Sequence, residues 1–273
     1  MKIAYLILIH NNFAQFQLLF DSIYYKDHIY LIHVDKKSDK EFHNRVKSYL
    51  SSYSNAHIMK SQICNWGGFS MVDVQIKGLQ KLLQISKDWD FFINLSGQDF
   101  PLKSQQYIMD FLGKNKDNNF IDARDLISES NSLFRIRKFY IEFGKYLINT
   151  RFKRAYPKGI KPYYGSQWFI LNRDFCNFFV KDKTTKKIIK FYKNTFIPDE
   201  AVFQTAIMNS SFHSTVISNN KRALRMYDDG KPMILKSDDF EYLYSYERFF
   251  GRKFDINVDS EIIDKLKSHI SNN

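Results

Sequence analysis

Two carboxylates stand side by side in the stretch FIPDEAVFQT, Asp199 and Glu200, while a third, Asp99, stands alone in DFFINLSGQDFPLK. Adjacent residues on a helix project about 100° apart, so Asp199 and Glu200 are expected to have separate jobs rather than to share a proton. One would reach into a cleft as a general base; the plain alternative is that acidic residues favour the positive end of a helix dipole. Asp99 closes an apolar run at the place where a strand would leave a sheet. Nucleotide-sugar enzymes often hold a metal there between two aspartates, and SGQD supplies only one. The chain also has no glycine-rich phosphate loop, no G-x-S-x-G and no H-E-x-x-H. Phosphate would then have to be met by side-chain cations or by helix N-termini. Arg222 and Arg225 in RALRMYDDGKP, with Arg252 and Lys253 in FFGRKFD, put four cations among aromatics late in the chain. Arginine can fork two phosphate oxygens and lysine acts as a point charge.

The elements that must position these groups read as an alternation of strand and helix. KIAYLILIH is a buried strand, and Phe16, Leu19, Phe20 and Ile23 then recur on one helical face. A second strand falls at 28–35. A helix marked by Phe42, Val46 and Leu50 follows, then a short strand at 56–60, a longer helix through Val72, Ile76, Leu79 and Leu83, and the strand FFINL. This order predicts an α/β domain with a mostly parallel central sheet flanked by helices. Ligands bind such sheets beyond the carboxyl ends of the strands, and those ends carry His10 with Asn11 and Asn12, His33 with Asp35, and Ser96 to Asp99. Turn and cap chemistry explains each of these alone; three on one rim point to a site. The second half is less regular. YYGSQWFILN reads as a turn into a strand, DFCNFFV as a helix, FIPDEAVFQTAIM as a loop breaking into a helix with Pro198 in its first turn, and SEIIDKLKSHI as an amphipathic closing helix. With no Gly/Ser linker or repeat, the reading is one domain over 1–273, with a nucleotide-binding half at 1–103, an acceptor and catalytic half at 104–255 and a closing helix at 256–273.

At 273 residues, 44% hydrophobic and 17% aromatic, the chain can bury a sizeable core. The apolar run Ile3 to Ile9 is too short to cross a bilayer and is read as the first strand of a cytoplasmic protein. Two cysteines, Cys64 and Cys176, make neither a disulfide framework nor a cysteine-based zinc site. A formal charge of +12 favours polyanionic partners: nucleic acid, anionic lipid or phosphate-bearing substrates. Much of it lies in stretches such as KDKTTKKIIK, which read as solvated surface.

Seven motifs in order, AYLILIHNN, IYLIHVDKKS, WGGFSMVDVQIKGL, WDFFINLSGQDFPLK, YYGSQWFILNRDF, FIPDEAVFQT and FGRKFD, resemble the core-2/I-branching β-1,6-N-acetylglucosaminyltransferase family, which includes the peptide O-xylosyltransferases. The match runs over about residues 3 to 255 and is weakest at about 104 to 160. The resemblance implies a GT-A-type fold and an inverting, metal-independent transfer of a sugar, UDP-GlcNAc being the expected donor, to a glycan or lipid-linked glycan acceptor in the synthesis of a bacterial surface polysaccharide or lipopolysaccharide. No cofactor is expected. Carried over position by position, Glu200 is the base that deprotonates the acceptor. His10 and Asp35 line the uridine and ribose pocket. Arg225 and Lys253 face the diphosphate, with Arg222 one short step away as the competing choice. Arg135, Arg137 and Glu142 fall in the weakly matching stretch where the family contacts acceptor. Trp66, Trp168, Tyr164 and Ser166 sit in matching motifs; the aromatic rings suit the apolar faces of sugars. Asp99 is expected to contact a sugar hydroxyl. Transfer of xylose or another UDP-sugar on the same scaffold is the alternative within enzymes, and a basic nucleic-acid binder using aromatic stacking the alternative outside them. The basic surface would also hold the protein against an anionic membrane.

Overall fold

The computed structural model describes residues 1–128, 132–245 and 247–271. Its first strand, β1 (Ile3–Ile9), is buried over its whole length. Parallel strands covered on both faces read as unbroken apolar runs, and the two faces of β1 serve two cores. Ala4, Leu6 and Leu8 pack into one cluster, whereas Ile3, Tyr5, Ile7 and Ile9 pack into the other, as the period of two along a strand requires. Strand β1 pairs in parallel with β2 (Ile29–Val34) on one side and β4 (Phe91–Ser96) on the other, and β2 pairs in parallel with β3 (Ala56–Ile58). Between them run α1 (Phe13–Ile23), α2 (Lys40–Leu50) and α3 (Ser70–Ile85). The caps of α1 and α2 are written in the sequence: Asn12 accepts from the Gln15 N–H and Asp39 from the Phe42 N–H.

The second half joins this sheet rather than forming its own. After β5 (Asp99–Pro101) and α4 (Gln105–Lys114) come β6 (Asn119–Ile121) and β7 (Arg124–Asp125), then α5 (Phe134–Arg137). A hairpin of β8 (Lys138–Phe143) and β9 (Tyr146–Lys153) leads to β10 (Tyr163–Tyr164), which pairs with β7, and to β11 (Phe169–Asn172). Strand β11 runs antiparallel between β4 and β6, and β12 (Val216–Ile217) closes the edge. The seven strands order as β12-β6-β11-β4-β1-β2-β3. The lysine-rich 181–190 stretch, expected as solvated surface, supplies most of α7 (Lys183–Tyr192), which follows α6 (Arg173–Lys181). Its lysines face solvent while Ile188 and Tyr192 are buried.

A second sheet, invisible to periodicity because each strand has three residues, joins β5 to β14 (Phe250–Arg252) and β14 to β13 (Arg222–Leu224). It carries a third core in which Phe100, Leu102, Ala223 and Phe254 meet Leu243 of α9 (Phe240–Tyr244) and Ile262, Ile263 and Leu266 of α10 (Glu261–Ser271). The closing helix expected from SEIIDKLKSHI is therefore a lid on the small sheet.

Two buried histidines give the fold a pH dependence. His28 Nδ1 accepts the Ile3 N–H at 3.3 Å, and His33 Nε2 accepts the Gln62 N–H at 3.1 Å. Each ring must be neutral at that nitrogen. Burial pushes both down to about 4. The unfolded chain therefore binds more protons between the ordinary histidine value and about 4, so stability is full above roughly pH 6.5 and declines as pH falls toward 4, by on the order of 3 kcal/mol per ring. Urea midpoints followed from pH 7.5 to 4 should fall less steeply in His28→Asn and His33→Gln, which keep an acceptor but cannot titrate. Equal slopes in wild type and variants would remove these rings as the cause.

Candidate active site

Three strand ends meet along one rim, tied by hydrogen bonds to backbone carbonyls. The Asp35 N–H donates to the Ile9 carbonyl at 2.9 Å, the Gly97 N–H to the Leu8 carbonyl at 3.0 Å, and Ser38 Oγ to the His10 carbonyl at 2.7 Å. His10 stands exposed at this mouth. Partial desolvation lowers its pKa; Asp35 opposes that, while Lys253 and Lys37 add to it. The imidazole is accordingly biased toward its neutral form, with one nitrogen free to accept. Asp35 is buried, and its carboxylate accepts from the Lys37 N–H at 2.8 Å and the Cys64 N–H at 3.3 Å, with Lys37 Nζ 3.7 Å away. The expected pair His10 and Asp35 is thus assembled, and it comes with Lys37, the second lysine of HVDKKS, which the sequence reading passed over. Lys253 has no carboxylate partner among the described residues. The charges of both lysines are felt at His10.

Asp99 does not play the part expected of it. Its side chain is fully buried; Oδ2 accepts the Ser96 N–H at 2.9 Å, and Oδ1 pairs with Arg252 Nη1 at 3.0 Å. The carboxylate closes its own turn and neutralises a half-buried arginine, leaving no oxygen facing solvent for a sugar hydroxyl. Trp168 is also corrected. It is buried, with the Arg252 guanidinium 4.2 Å over its ring, so that face cannot stack on a sugar. The two late arginines separate clearly. Arg222 is buried on the other side of this cluster, 4.4 Å over Phe250, and donates from Nη2 to the Asn94 carbonyl at 2.7 Å. Burial brings its pKa down to about 10. Arg225 lies past the end of β13, over Tyr242 at 4.3 Å and paired with Asp239 at 2.5 Å. Its charge is engaged there, so among the cations proposed for a diphosphate only Lys253 retains an unpaired head.

Glu200 ends a short 3-10 turn, Pro198–Glu200, that precedes α8 (Val202–Met208). Backbone contacts place it: the Ile197 N–H donates to the Gly67 carbonyl at 2.8 Å and the Gly165 N–H to the Glu200 carbonyl at 2.8 Å. Gly165 cannot be larger, since a Cβ there would fall 1.9 Å from the Asp122 carbonyl oxygen. The two adjacent carboxylates do take different places. Asp199 turns inward, its Oδ1 without a hydrogen-bond partner, and burial followed by repulsion from Glu200 pushes it up to about 7. Glu200 turns outward, a third exposed, and meets Arg135 Nη1 at 2.8 Å. Arg135 of the weakly matching stretch is thereby joined to the site, whereas Arg137, at the end of the same helix, points to solvent.

Glu142, on the inner face of β8, accepts from Asn65 Nδ2 at 2.8 Å and the Ser70 N–H at 2.9 Å, and also from the Ser70 hydroxyl. It clamps the WGGFS loop, and a Cβ on Gly68 would lie 2.6 Å from its carboxylate. The loop presents Trp66, 78% exposed, edge-on to Phe196 at 5.7 Å. Ser166 is half-buried: its hydroxyl accepts the Trp168 N–H at 3.3 Å and its carbonyl accepts from Gln204 at 2.6 Å. Tyr164 is buried under Arg124. Of the expected sugar-facing aromatics, Trp66 alone is open. Among the described residues no three His, Cys, Asp or Glu side chains converge as metal ligands.

Comparison with known proteins places these features in a family. The family described as Core-2/I-Branching enzyme matches residues 3–233. The chain is 32% identical to xylosyltransferase 1 of Mus musculus, with all of this chain aligned to 31% of that protein, and 30% identical to xylosyltransferase 2 of Homo sapiens, with 98% aligned to 34%. It spans about a third of the length of the curated relatives it matches. Among solved structures, the galactosyltransferase LgtC in complex with donor and acceptor sugar analogs aligns over 98% of this chain and 96% of that one, at a TM-score of 0.48 and 10% identity, a likeness too distant to weigh on function.

Asp99→Asn leaves Arg252 and its neighbour Arg222 without their buried counter-charge, and should cost about 3–5 kcal/mol of stability, read as a lowered urea midpoint. An unchanged midpoint with weakened sugar binding would return Asp99 to the role of substrate contact.

Proposed function

Because this chain belongs to the Core-2/I-Branching enzyme family, we propose that it is an inverting glycosyltransferase that moves a sugar from a UDP donor to an acceptor hydroxyl without a divalent metal. One observation carries the reading. Glu200 is an outward-facing carboxylate whose backbone is held from two sides and whose side chain is oriented by Arg135. A hydroxyl is a poor nucleophile until a base accepts its proton as the new bond forms. In the proposed step Glu200 takes that proton, the acceptor oxygen bonds to the anomeric carbon, and the carbon–oxygen bond to the diphosphate breaks with its electrons left on the leaving oxygen. Attack opposite the leaving group turns an α-linked donor into a β-linked product.

Charge developing on the diphosphate needs fixed cations in a place sheltered from water. Lys253, half-buried and without a carboxylate partner among the described residues, suits that need, and Lys37, exposed and set near Asp35, adds charge at the same rim. His10 and Asp35 would take the nucleoside, Asp35 through its fixed place at the β2 exit and His10 through a neutral ring nitrogen. The buried pairing of Asp99 with Arg252 supports the metal-free reading, because the position where a two-aspartate site would hold a cation already carries a guanidinium. Trp66, open beside Phe196 and the Glu200 turn, is suited to an apolar sugar face. Arg135 would act on the acceptor side chiefly by orienting Glu200.

UDP-GlcNAc is the donor that the branching enzymes suggest. Transfer of xylose is the second reading, favoured by the relatives named as xylosyltransferases. A glycan or lipid-linked glycan is the proposed acceptor. No helix among the described residues is long and apolar enough to cross a membrane.

Product formation from a panel of UDP-sugars, measured with and without chelator, tests the proposal. Glu200→Gln should lower kcat by about 10²–10⁴ with little change in donor affinity, and chelator should leave the rate unchanged. Transfer retained in Glu200→Gln would take the base role from Glu200, and loss of activity on chelation would end the metal-free reading.

A further inference from the structure

The β8–β9 hairpin has two unlike faces. Opposite residues in a hairpin share a face, and the inner one packs on the body of the protein through two residues: Tyr140 stacks on Phe196 at 5.3 Å and Glu142 clamps the WGGFS loop. The outer face pairs Ile141 with Ile148 and Phe143 with Tyr146. All four are exposed, Phe143 by 75%, and Phe152 further along β9 by 74%. Monomeric proteins rarely leave contiguous apolar surface of this kind without a use.

The rim identifies the occupant. Lys145 and Arg151 are exposed along the hairpin, Lys145 lying 5.5 Å over the Tyr146 ring, and Lys138 and Lys153, paired with each other at its open end, are exposed too. The sole carboxylate between residues 138 and 153, Glu142, is turned inward and already bonded. A second copy docking face to face would bring like charges together, which opposes association. A protruding face of aliphatic and aromatic residues ringed by lysine and arginine instead matches the membrane interface, where aromatic rings settle at headgroup depth and each cation strengthens binding to an anionic surface roughly fivefold.

We propose that the outer face of the β8–β9 hairpin is a docking surface for an anionic lipid bilayer, its apolar residues entering the interface and its four cations meeting the lipid phosphates. The inner face ties this surface to the site. The Tyr140 N–H donates to the Asn194 carbonyl at 3.0 Å, and Tyr140 packs on Phe196, two residues before the Pro198–Glu200 turn. Docking would therefore hold the Glu200 side of the cleft close to the membrane plane, where an acceptor carried on a lipid lies.

Flotation of the full chain with vesicles of phosphatidylglycerol and phosphatidylcholine, against phosphatidylcholine alone, tests this without donor or acceptor, so its failure leaves the transfer reaction untouched. Two hairpin double variants, Phe143→Ser with Phe152→Ser and Lys145→Glu with Lys153→Glu, are compared with a charge-matched control, Lys183→Glu with Lys187→Glu on α7. Wild type should bind the anionic vesicles and lose that binding about tenfold or more in each hairpin variant, while the α7 control stays within about twofold. Thermal midpoints confirm that these exposed substitutions leave the fold intact. Absence of binding, equal binding to neutral vesicles, or equal loss in the α7 control would overturn the proposal. A dimer seen by sedimentation and dissolved by the Phe143→Ser pair would assign the face to a second copy instead.

Discussion

The ion pair between Asp99 and Arg252 neutralises charge inside the β5–β14 ladder, where distant parts of the chain are joined. Asp99 closes the turn at the end of β4 and begins β5; Arg252 ends β14, some 150 residues later. Their pairing fixes the small sheet against the exit of the large one and lays a guanidinium over Trp168. It also offsets part of the cost of burying Arg222 behind them. Asp99 and Arg222, both buried, and the half-buried Arg252 form an arrangement that tolerates loss of the carboxylate poorly, because a buried charge without its partner is far more costly than the pair. The neighbouring Lys253 owes its place at the rim to this anchor.

At the Glu200 turn the positioning is done by backbone rather than by charge. Glu200 is held through its own carbonyl and through Ile197, in a turn pressed against Gly67 and Gly165. Side-chain contacts then select which carboxylate faces out. Burial leaves Asp199 without a partner for one oxygen and raises its pKa, whereas Arg135 gives Glu200 a fixed direction. The division of labour follows from geometry: two adjacent residues on a tight turn cannot both reach the same space.

The alternation of apolar periods made the first four strands of the large sheet, their three helices and the polar rim legible from residues alone, because a half-buried helix and a fully buried parallel strand each impose their own spacing. The strand-end positions of His10 and Asp35 and the turn that carries Glu200 were legible for a related reason, since strand ends and a proline-led turn mark themselves locally. The small sheet was not. Its strands are three residues long, too short to show a period, and β5 pairs with a strand some 150 positions away. Lys37 escaped notice because a lysine after a strand is usually just solvated.

The sequence by itself determined which residue types stand at each strand end, and therefore the chemistry available. Only the tertiary structure decided which of them are free to use it. Asp99 and Trp168 pass from substrate contacts to buried supports of Arg252, Arg225 is taken up by Asp239, and Arg135 is drawn to Glu200. The physical reason is that a charge's role depends on its nearest counter-charge and its access to water. Both are set by contacts between residues far apart in the chain, which local spacing does not record.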